Sequence, residues 1–582
     1  MPQPRIILGI SDSHDAGVAV IRDGQVLAAL NEERLCRKKQ AAGFPVMALE
    51  RIWDIAGISP QEIHHVALAG SSLGIPPLNN DFSHEDGAYS LSQNIAELLD
   101  RLPISKELFS HPITLGAYRS LLPMLARLRS LRARSTLKNL LGIDLPVETY
   151  DHHDAHIASA YFASGMDHCL VISNDGFGDG LCSKIAIGQH LQDRIALSNI
   201  AQNSFFNSLG VYYNYVTLFC GFKKAYHAGK TTGLAAFGDP HKTLPIFQKM
   251  IHWDASSGRY VNRGGVFRNC LRRLFQELQS FSREDVAAGI QKHCEDILVQ
   301  MVAHFVATSH CSNVALVGGV HANVKSNQYI AAIPCIENLF VFPHMGDGGL
   351  ALGAAYLSWH RHDLRARSVK IDHVYWGTEF KEKEIEALLK SQGVAYSRPS
   401  NLALEIAKLL QNNKIVARCD GAMEYGPRAL GNRSILYPAT KPEVNQWLNQ
   451  QLHRTEFMPF APVVREKDAH LFFKNYDAKT AHTSQFMTIT YDVTERCKRE
   501  APAITHIDGT ARPQVLSQKH NPDYYAILDE YHRLTGLSIL VNTSFNMHDE
   551  PIVHSPQDAL KSYFEGHLDV LVLGPFLIQK QS

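Results

Sequence analysis

Two apolar runs near the start of the chain, Ala16-Gly-Val-Ala-Val-Ile21 and Gln25-Val-Leu-Ala-Ala-Leu30, flank the short stretch Arg22-Asp-Gly24. An Asp-Gly pair between such runs predicts a tight hairpin, because the favoured two-residue turn needs positive φ at both positions. The run before it, Arg5-Ile-Ile-Leu-Gly-Ile10, reads as a buried strand, and Ser11-Asp-Ser-His-Asp15 is the loop between them. This opening commits the first residues to a sheet with a polar loop at a strand's carboxyl end, where α/β folds place ligands. His14 in that loop is a candidate general base toward a hydroxyl, since an imidazole titrates near working pH.

Strand, small loop and hairpin in this order resemble the opening of the actin-like ATPase and sugar-kinase fold. At 582 residues the chain exceeds one ordinary core, so two domains are expected. Further strands are predicted at Cys169–Ser173 and Val314–Val317, each running into a polar or Gly-rich loop. A helix from about Gly348 to His360 then closes the first domain. Residues 70–145 read as a helical insertion, basic in its later half and solvated. The charged stretch 360–372 is the expected linker, followed by strands at Lys414–Arg418, Ser538–Val541 and Val570–Leu573. No internal repeat is visible.

Lys+Arg and Asp+Glu both number 57, which argues against a general affinity for nucleic acid or an anionic membrane. No apolar run reaches the roughly 18 residues that span a bilayer, and the N-terminus lacks a signal-peptide pattern. Ten cysteines without a CxxC pair indicate neither a zinc ribbon nor a disulfide framework. Buried thiols in a reducing cytoplasm are the expectation.

In Asp151-His-His-Asp-Ala-His156, the i, i+4 spacing sets His152 and His156 on one helix face. Such a pair holds a divalent transition metal when a carboxylate arrives from elsewhere. Asp347, flanked by glycines in Gly346-Asp-Gly-Gly349, is the candidate, and Asp175 in Asn174-Asp-Gly-Phe-Gly-Asp-Gly180 is another, directly or through water. His227-Ala-Gly-Lys-Thr-Thr-Gly233 looks like part of a P-loop but lacks its first glycine, position 224 being lysine. It and Gly318-Gly-Val-His-Ala-Asn323 are candidate nucleotide loops. Arg428 and Arg433 in Met423-Glu-Tyr-Gly-Pro-Arg-Ala-Leu-Gly-Asn-Arg-Ser434, together with Arg512 and Asn542, supply donor forks and amides suited to phosphate.

Together these motifs resemble the O-carbamoyltransferase family of antibiotic and nodulation-factor biosynthesis, from Ile6 to about Leu573. The resemblance implies an α/β protein with an actin-like (ASKHA), two-lobed N-terminal domain at 1–365 and a smaller α/β YrdC-like domain at 373–582. It implies that the second domain joins the carbamoyl unit of carbamoyl phosphate to ATP as carbamoyl adenylate. The first, with bound Fe2+ or another divalent metal, then delivers the carbamoyl group to a hydroxyl. On that likeness His152, His156 and Asp347 are metal ligands, Asp175 touches the metal or the intermediate, and His14 deprotonates the acceptor. Lys39, Gly229, Gly233, Gly319 and Asn323 contact carbamoyl adenylate, while Arg428, Arg454, Arg512 and Asn542 hold carbamoyl phosphate and ATP. The expected partner is a small hydroxylated metabolite, with neither nucleic acid nor membrane, and a homodimer is compatible with the family. Three positions depart from the family pattern: Ala228 replaces a glutamate, and Leu452 and Met458 replace cations beside Arg454. Rival readings are a tRNA-threonylcarbamoylation protein, a catalytically altered binding member of the family, and a sugar kinase.

Overall fold

The computed structural model describes residues 5–71, 112–191, 194–222, 227–265, 268–363, 366–452 and 460–579. The predicted opening is present as β1 (Ile6–Ser11), β2 (Gly17–Arg22) and β3 (Gln25–Asn31), and the hairpin turns at Asp23 and Gly24 with φ of 48° and 82°. With β4 (His65–Ala69) and β5 (Val147–Tyr150) they form a sheet ordered β3-β2-β1-β4-β5, in which β4 runs parallel to both β1 and β5. Next come β6 (His168–Gly178), β7 (Leu181–His190) and β8 (Ile195–Ser204), then a small ribbon of β9 (Ile251–Asp254) and β10 (Arg259–Asn262). β11 (Asn313–Val317) and β12 (Asn338–Val341) complete a second sheet ordered β12-β11-β6-β7-β8, with β11 parallel to β6 and β12. Counted outward from β1 and from β6, the two sheets have the same strand order. A duplicated topology is therefore present where the sequence shows no repeat.

The helix His152–Ser164 is buried almost throughout and packs on β6, β7 and β11. Its other side meets the helix Leu350–His362, which lies on β1 and β4. Small residues make that approach feasible: Ala67, Ala69, Ala155 and Ala354 line the contact with Leu350. Gly353 is the tightest point, since a Cβ there would stand 1.9 Å from the Ala155 carbonyl oxygen.

The described part of the expected insertion is mainly one helix, Pro112–Leu141. Its basic half is not simply solvated. Arg129 is buried, donating to the Ala69 carbonyl at 3.2 Å and also to the Gly70 carbonyl and the Asp12 carboxylate. Arg119 reaches the Asp151 carboxylate at 3.0 Å. Carbonyls at the end of β4 have run out of ladder partners, and a long cation from the insertion satisfies them.

The later residues build a seven-stranded mixed sheet in the order β18-β15-β19-β14-β13-β20-β21. Its members are β13 (Val416–Cys419), β14 (Arg433–Pro438), β15 (Pro462–Arg465), β18 (Gln514–Leu516), β19 (Ile539–Ser544), β20 (Val570–Leu573) and β21 (Phe576–Gln579), with β16 (Tyr491–Asp492) and β17 (Thr510–Ala511) paired apart. The helices Leu402–Gln411 and Pro522–Thr535 pack together, placing Ile406, Leu410, Tyr524 and Leu528 in a core with Val416, Leu436 and Leu540 from the strands.

Packing divides the chain into two units at Lys370/Ile371. The second unit also takes Asp15–Val18 and Val26–Gly57, so the first is not the continuous 1–365 segment expected. Hydrogen bonds within the second unit give the reason. Ala29 N–H donates to the Trp376 carbonyl, Arg34 to that of Gly426 at 2.6 Å, and Arg37 to those of Pro551 and Ile552. Among the described residues no helix is long and apolar enough to cross a membrane. Replacing Gly353 by alanine should lower stability by about 1–3 kcal/mol through overpacking against backbone, measured as a fall in the thermal midpoint; an unchanged midpoint would contradict the close approach.

Candidate metal centre and oxyanion site

The helix beginning at His152 is held by two carboxylates. Asp151 caps it, accepting from the His153 and Asp154 N–H groups, and Asp179 Oδ2 accepts the His152 N–H at 2.9 Å. With the first turn fixed, the i, i+4 spacing directs both Nε2 atoms of His152 and His156 to one place. Asp175 arrives from β6, and Asp347 from the single 3₁₀ turn Asp347–Gly349 beyond β12. His152 Nε2 lies 3.2 Å from Asp175 Oδ2 and 3.6 Å from Asp347 Oδ1, and His156 Nε2 lies 3.8 and 3.4 Å from the same atoms. Four ligands about 2.1 Å from a common centre at tetrahedral angles would be about 3.4 Å apart. His14 Nε2 stands 3.3 Å from Asp347 Oδ2, with its side chain 43% exposed.

All four cluster residues are buried. Burial works against an imidazolium at His152, but Asp347 and Asp175 outweigh it and raise its pKa to about 9. Burial likewise opposes a charged Asp175, yet His152 and His156 hold its carboxyl well below the usual range. His153, facing away toward Ser173 Oγ at 2.8 Å, is pushed down to about 3 by burial and by the two neighbouring histidines. The cluster is thus arranged around one positive charge, which a proton on His152 supplies when no ion is bound. A divalent metal fits these residues: both nitrogens of His156 are buried without a hydrogen-bond partner, an expensive state that coordination through Nε2 would relieve.

In the second unit the Glu424–Ser434 loop is organised by a carboxylate. Glu424 Oε1 accepts the N–H groups of Leu430, Asn432 and Arg433. Burial lowers the pKa of Arg428 to about 10, and burial together with the Arg428 charge lowers that of Arg512 well below the ordinary guanidinium value. Arg428 Nε is buried without a partner. Asn542 Nδ2 donates to the Ala429 carbonyl at 3.2 Å and to Gln514 at 2.8 Å, while its Oδ1 is buried without a partner. Two half-buried guanidinium groups, one acting on the charge of the other, are a donor set of the kind an anion could use.

Residues 6–356 match the family described as "Carbamoyltransferase N-terminus" and residues 407–580 the one described as "Carbamoyltransferase C-terminus". The chain belongs to the carbamoyltransferase family. Nodulation protein NolNO of Sinorhizobium fredii is similar at 28% identity over 98% of this chain and 79% of its own length. Protein MJ1051 of Methanocaldococcus jannaschii is similar at 30% identity over 99% of this chain and all of its own, 100%. Among solved structures, T. kodakarensis HypF is similar over 62% of this chain and 50% of its own, at 12% identity and a TM-score of 0.32, too distant for any residue correspondence.

In this carbamoyltransferase the structure brings His14, His152, His156, Asp175 and Asp347 together. Gly319 joins them through its backbone, its N–H donating to Asp175 Oδ1 at 2.8 Å. Gly229 and Gly233 lie on the short helix Ala228–Leu234, and a Cβ at Gly229 would meet nothing, leaving open space above the backbone. Asn323 caps the helix Val324–Ala331 and exchanges hydrogen bonds with Gln291, which in turn accepts from Tyr213. Lys39 sits in the second unit, in a turn beyond the helix Glu32–Cys36. Arg454 and Met458 lie outside the described residues.

Two expectations change. Arg433 is no oxyanion ligand, because its donors go to the carbonyls of His554, Asp420, Gly421, Asn432 and Thr378. Leu452, taken as the loss of a phosphate-binding cation, is a fully buried core side chain beside Gly566. Sequence reasoning missed Asp179 and Gln291 as organisers: a helix-end carboxylate fixed across a loop and a mid-helix amide carry no local signature. A Cβ at Gly178 would stand 2.1 Å from the His152 ring. Gly178→Ala should therefore displace the ligand and weaken divalent-metal binding by about tenfold or more, measured by calorimetry alongside circular dichroism; unchanged affinity would show that His152 does not bind the ion from this position.

Proposed function

We propose that this carbamoyltransferase is O-specific and works through carbamoyl adenylate. Its second unit, YrdC-like on the family resemblance, forms the adenylate from carbamoyl phosphate and ATP, releasing phosphate and pyrophosphate. Its first unit, actin-like on the same resemblance and in keeping with the duplicated strand order, passes the carbamoyl group to a hydroxyl of a small metabolite. The observation that carries this reading is His14 at 3.3 Å from Asp347, an accessible base at the edge of a buried two-histidine, two-aspartate cluster.

His14 takes the proton of the acceptor hydroxyl. The oxygen lone pair forms the new C–O bond to the carbamoyl carbon, the bond from that carbon to the phosphate oxygen breaks, and AMP leaves with those electrons. Asp347 steadies the resulting imidazolium, as a carboxylate beside a catalytic histidine does. His152, His156, Asp175 and Asp347 would hold a divalent ion, Fe2+ on the family likeness, which would supply Lewis-acid chemistry toward a carbonyl oxygen. Arg428 and Arg512 bind the donor phosphates, with Asn542 fixing the Arg428 loop through Ala429. The Pro112–Leu141 helix is the side of the site that meets the acceptor, since its Arg129 holds Asp12, close to His14 in sequence.

His14→Asn should abolish transfer to a hydroxylated acceptor while pyrophosphate release from ATP and carbamoyl phosphate persists. Loss of both activities, or of neither, would count against a base acting only in the second step. Arg512→Met should remove pyrophosphate release and cancel the rise in thermal midpoint that inorganic phosphate or ATP gives the unaltered enzyme. Without anion it should leave stability unchanged or higher, because a half-buried charge repelled by Arg428 is gone. A marked loss of anion-free stability would show that Arg512 is structural.

A further inference from the structure

A second group of metal-type ligands lies outside the centre already described: His65, Glu148 and His362, whose ligand atoms all fall within 4.8 Å of one another. We propose that these three residues form a peripheral site for a borderline divalent cation such as Zn2+, clamping the outer edge of the first sheet to its last helix.

The fold explains how they meet. Ala67 pairs with Glu148 and Ala69 with Tyr150 across β4 and β5, so His65, Glu148 and Tyr150 share the sheet face that carries the helix Leu350–His362. Alanines on that face let the helix lie close, and its final residue, His362, comes down over the start of β4. His362 Nε2 stands 2.7 Å from Glu148 Oε1, and the His65 and His362 rings stack with centroids 3.9 Å apart and an interplanar angle of 11°. The other Glu148 oxygen accepts from Tyr150 Oη at 2.5 Å and from Ser358 Oγ at 3.4 Å, the kind of outer support that orients a ligating carboxylate. The site is half-buried, and it lies at a helix C-terminus, where the backbone dipole favours positive charge.

Two nitrogens and one carboxylate, with a coordination position left for water, match the ligand preferences of zinc and its neighbours. Binding replaces the proton between His362 and Glu148. It also turns one imidazole about its Cβ–Cγ bond out of the stack, a motion along a broad torsional well. Arg361, 4.0 Å from Glu148 and 62% exposed, swings aside. β5 is the edge strand of its sheet, so the ion would act as a staple there.

The test counts ions in metal-stripped full-length protein titrated with Zn2+, and with Co2+ for its visible d–d bands. His65→Ala, Glu148→Gln and His362→Ala should each remove one equivalent and reduce the zinc-dependent rise in thermal midpoint, while His152→Ala leaves that equivalent in place. Glu148→Gln keeps the shape of the side chain and guards against a variant that merely unfolds. A count and a zinc-dependent midpoint that Glu148→Gln and His65→Ala leave as they are would overturn the proposal. Failure of the catalytic centre to bind metal would appear separately, as a total count that His152→Ala leaves unchanged while Glu148→Gln still removes one equivalent.

Discussion

Two aspartates meet two histidines in a place shielded from solvent, and that concentration of charge sets the terms for the first unit. A buried carboxylate pair is tolerable only beside a compensating cation. Without an ion, the Asp347 and Asp175 carboxylates favour a proton on His152 and raise its pKa to about 9. Much of the surrounding structure serves to make the four side chains converge. Asp151 and Asp179 fix the helix start, Gly178 leaves room for the His152 ring, the Gly319 N–H aims Asp175, and Gly353 lets two helices approach.

The second unit uses the opposite sign. Arg428 and Arg512 are half-buried; desolvation lowers the pKa of both, and the Arg428 charge lowers that of Arg512 further. Arg433, only five residues beyond Arg428 in the same motif, is spent on backbone carbonyls. One motif therefore contains a guanidinium saturated by carbonyls and another, Arg428, whose Nε is buried without a partner. A buried His/Asp cluster that could hold a metal in one unit and paired arginines in the other are compatible with a family that moves a carbamoyl group.

The repeated strand order of the two sheets has no counterpart in visible sequence repetition. Strand order depends on which backbones pair and where the apolar faces lie, and many side-chain sets satisfy those conditions. The two copies have also diverged in length: β6, β7 and β8 reach ten or eleven residues where β1, β2 and β3 have six or seven.

The sequence by itself determined the opening hairpin, the paired histidines of one helix face, the strand cores at β11 and β20, and the glycine-flanked aspartate. Each of these is a local pattern whose physics is complete within a few residues: a turn that needs positive φ, a helical period, an apolar run. Tertiary structure alone decided that Asp175 stands at the fourth corner of the cluster and that Arg433 is consumed. It also decided that Leu452 is core and that residues 26–57 group with the later unit. Those outcomes depend on partners tens to hundreds of residues away. A side chain's type limits what it can bind, but only its neighbours in space settle whether its donors and acceptors are already taken.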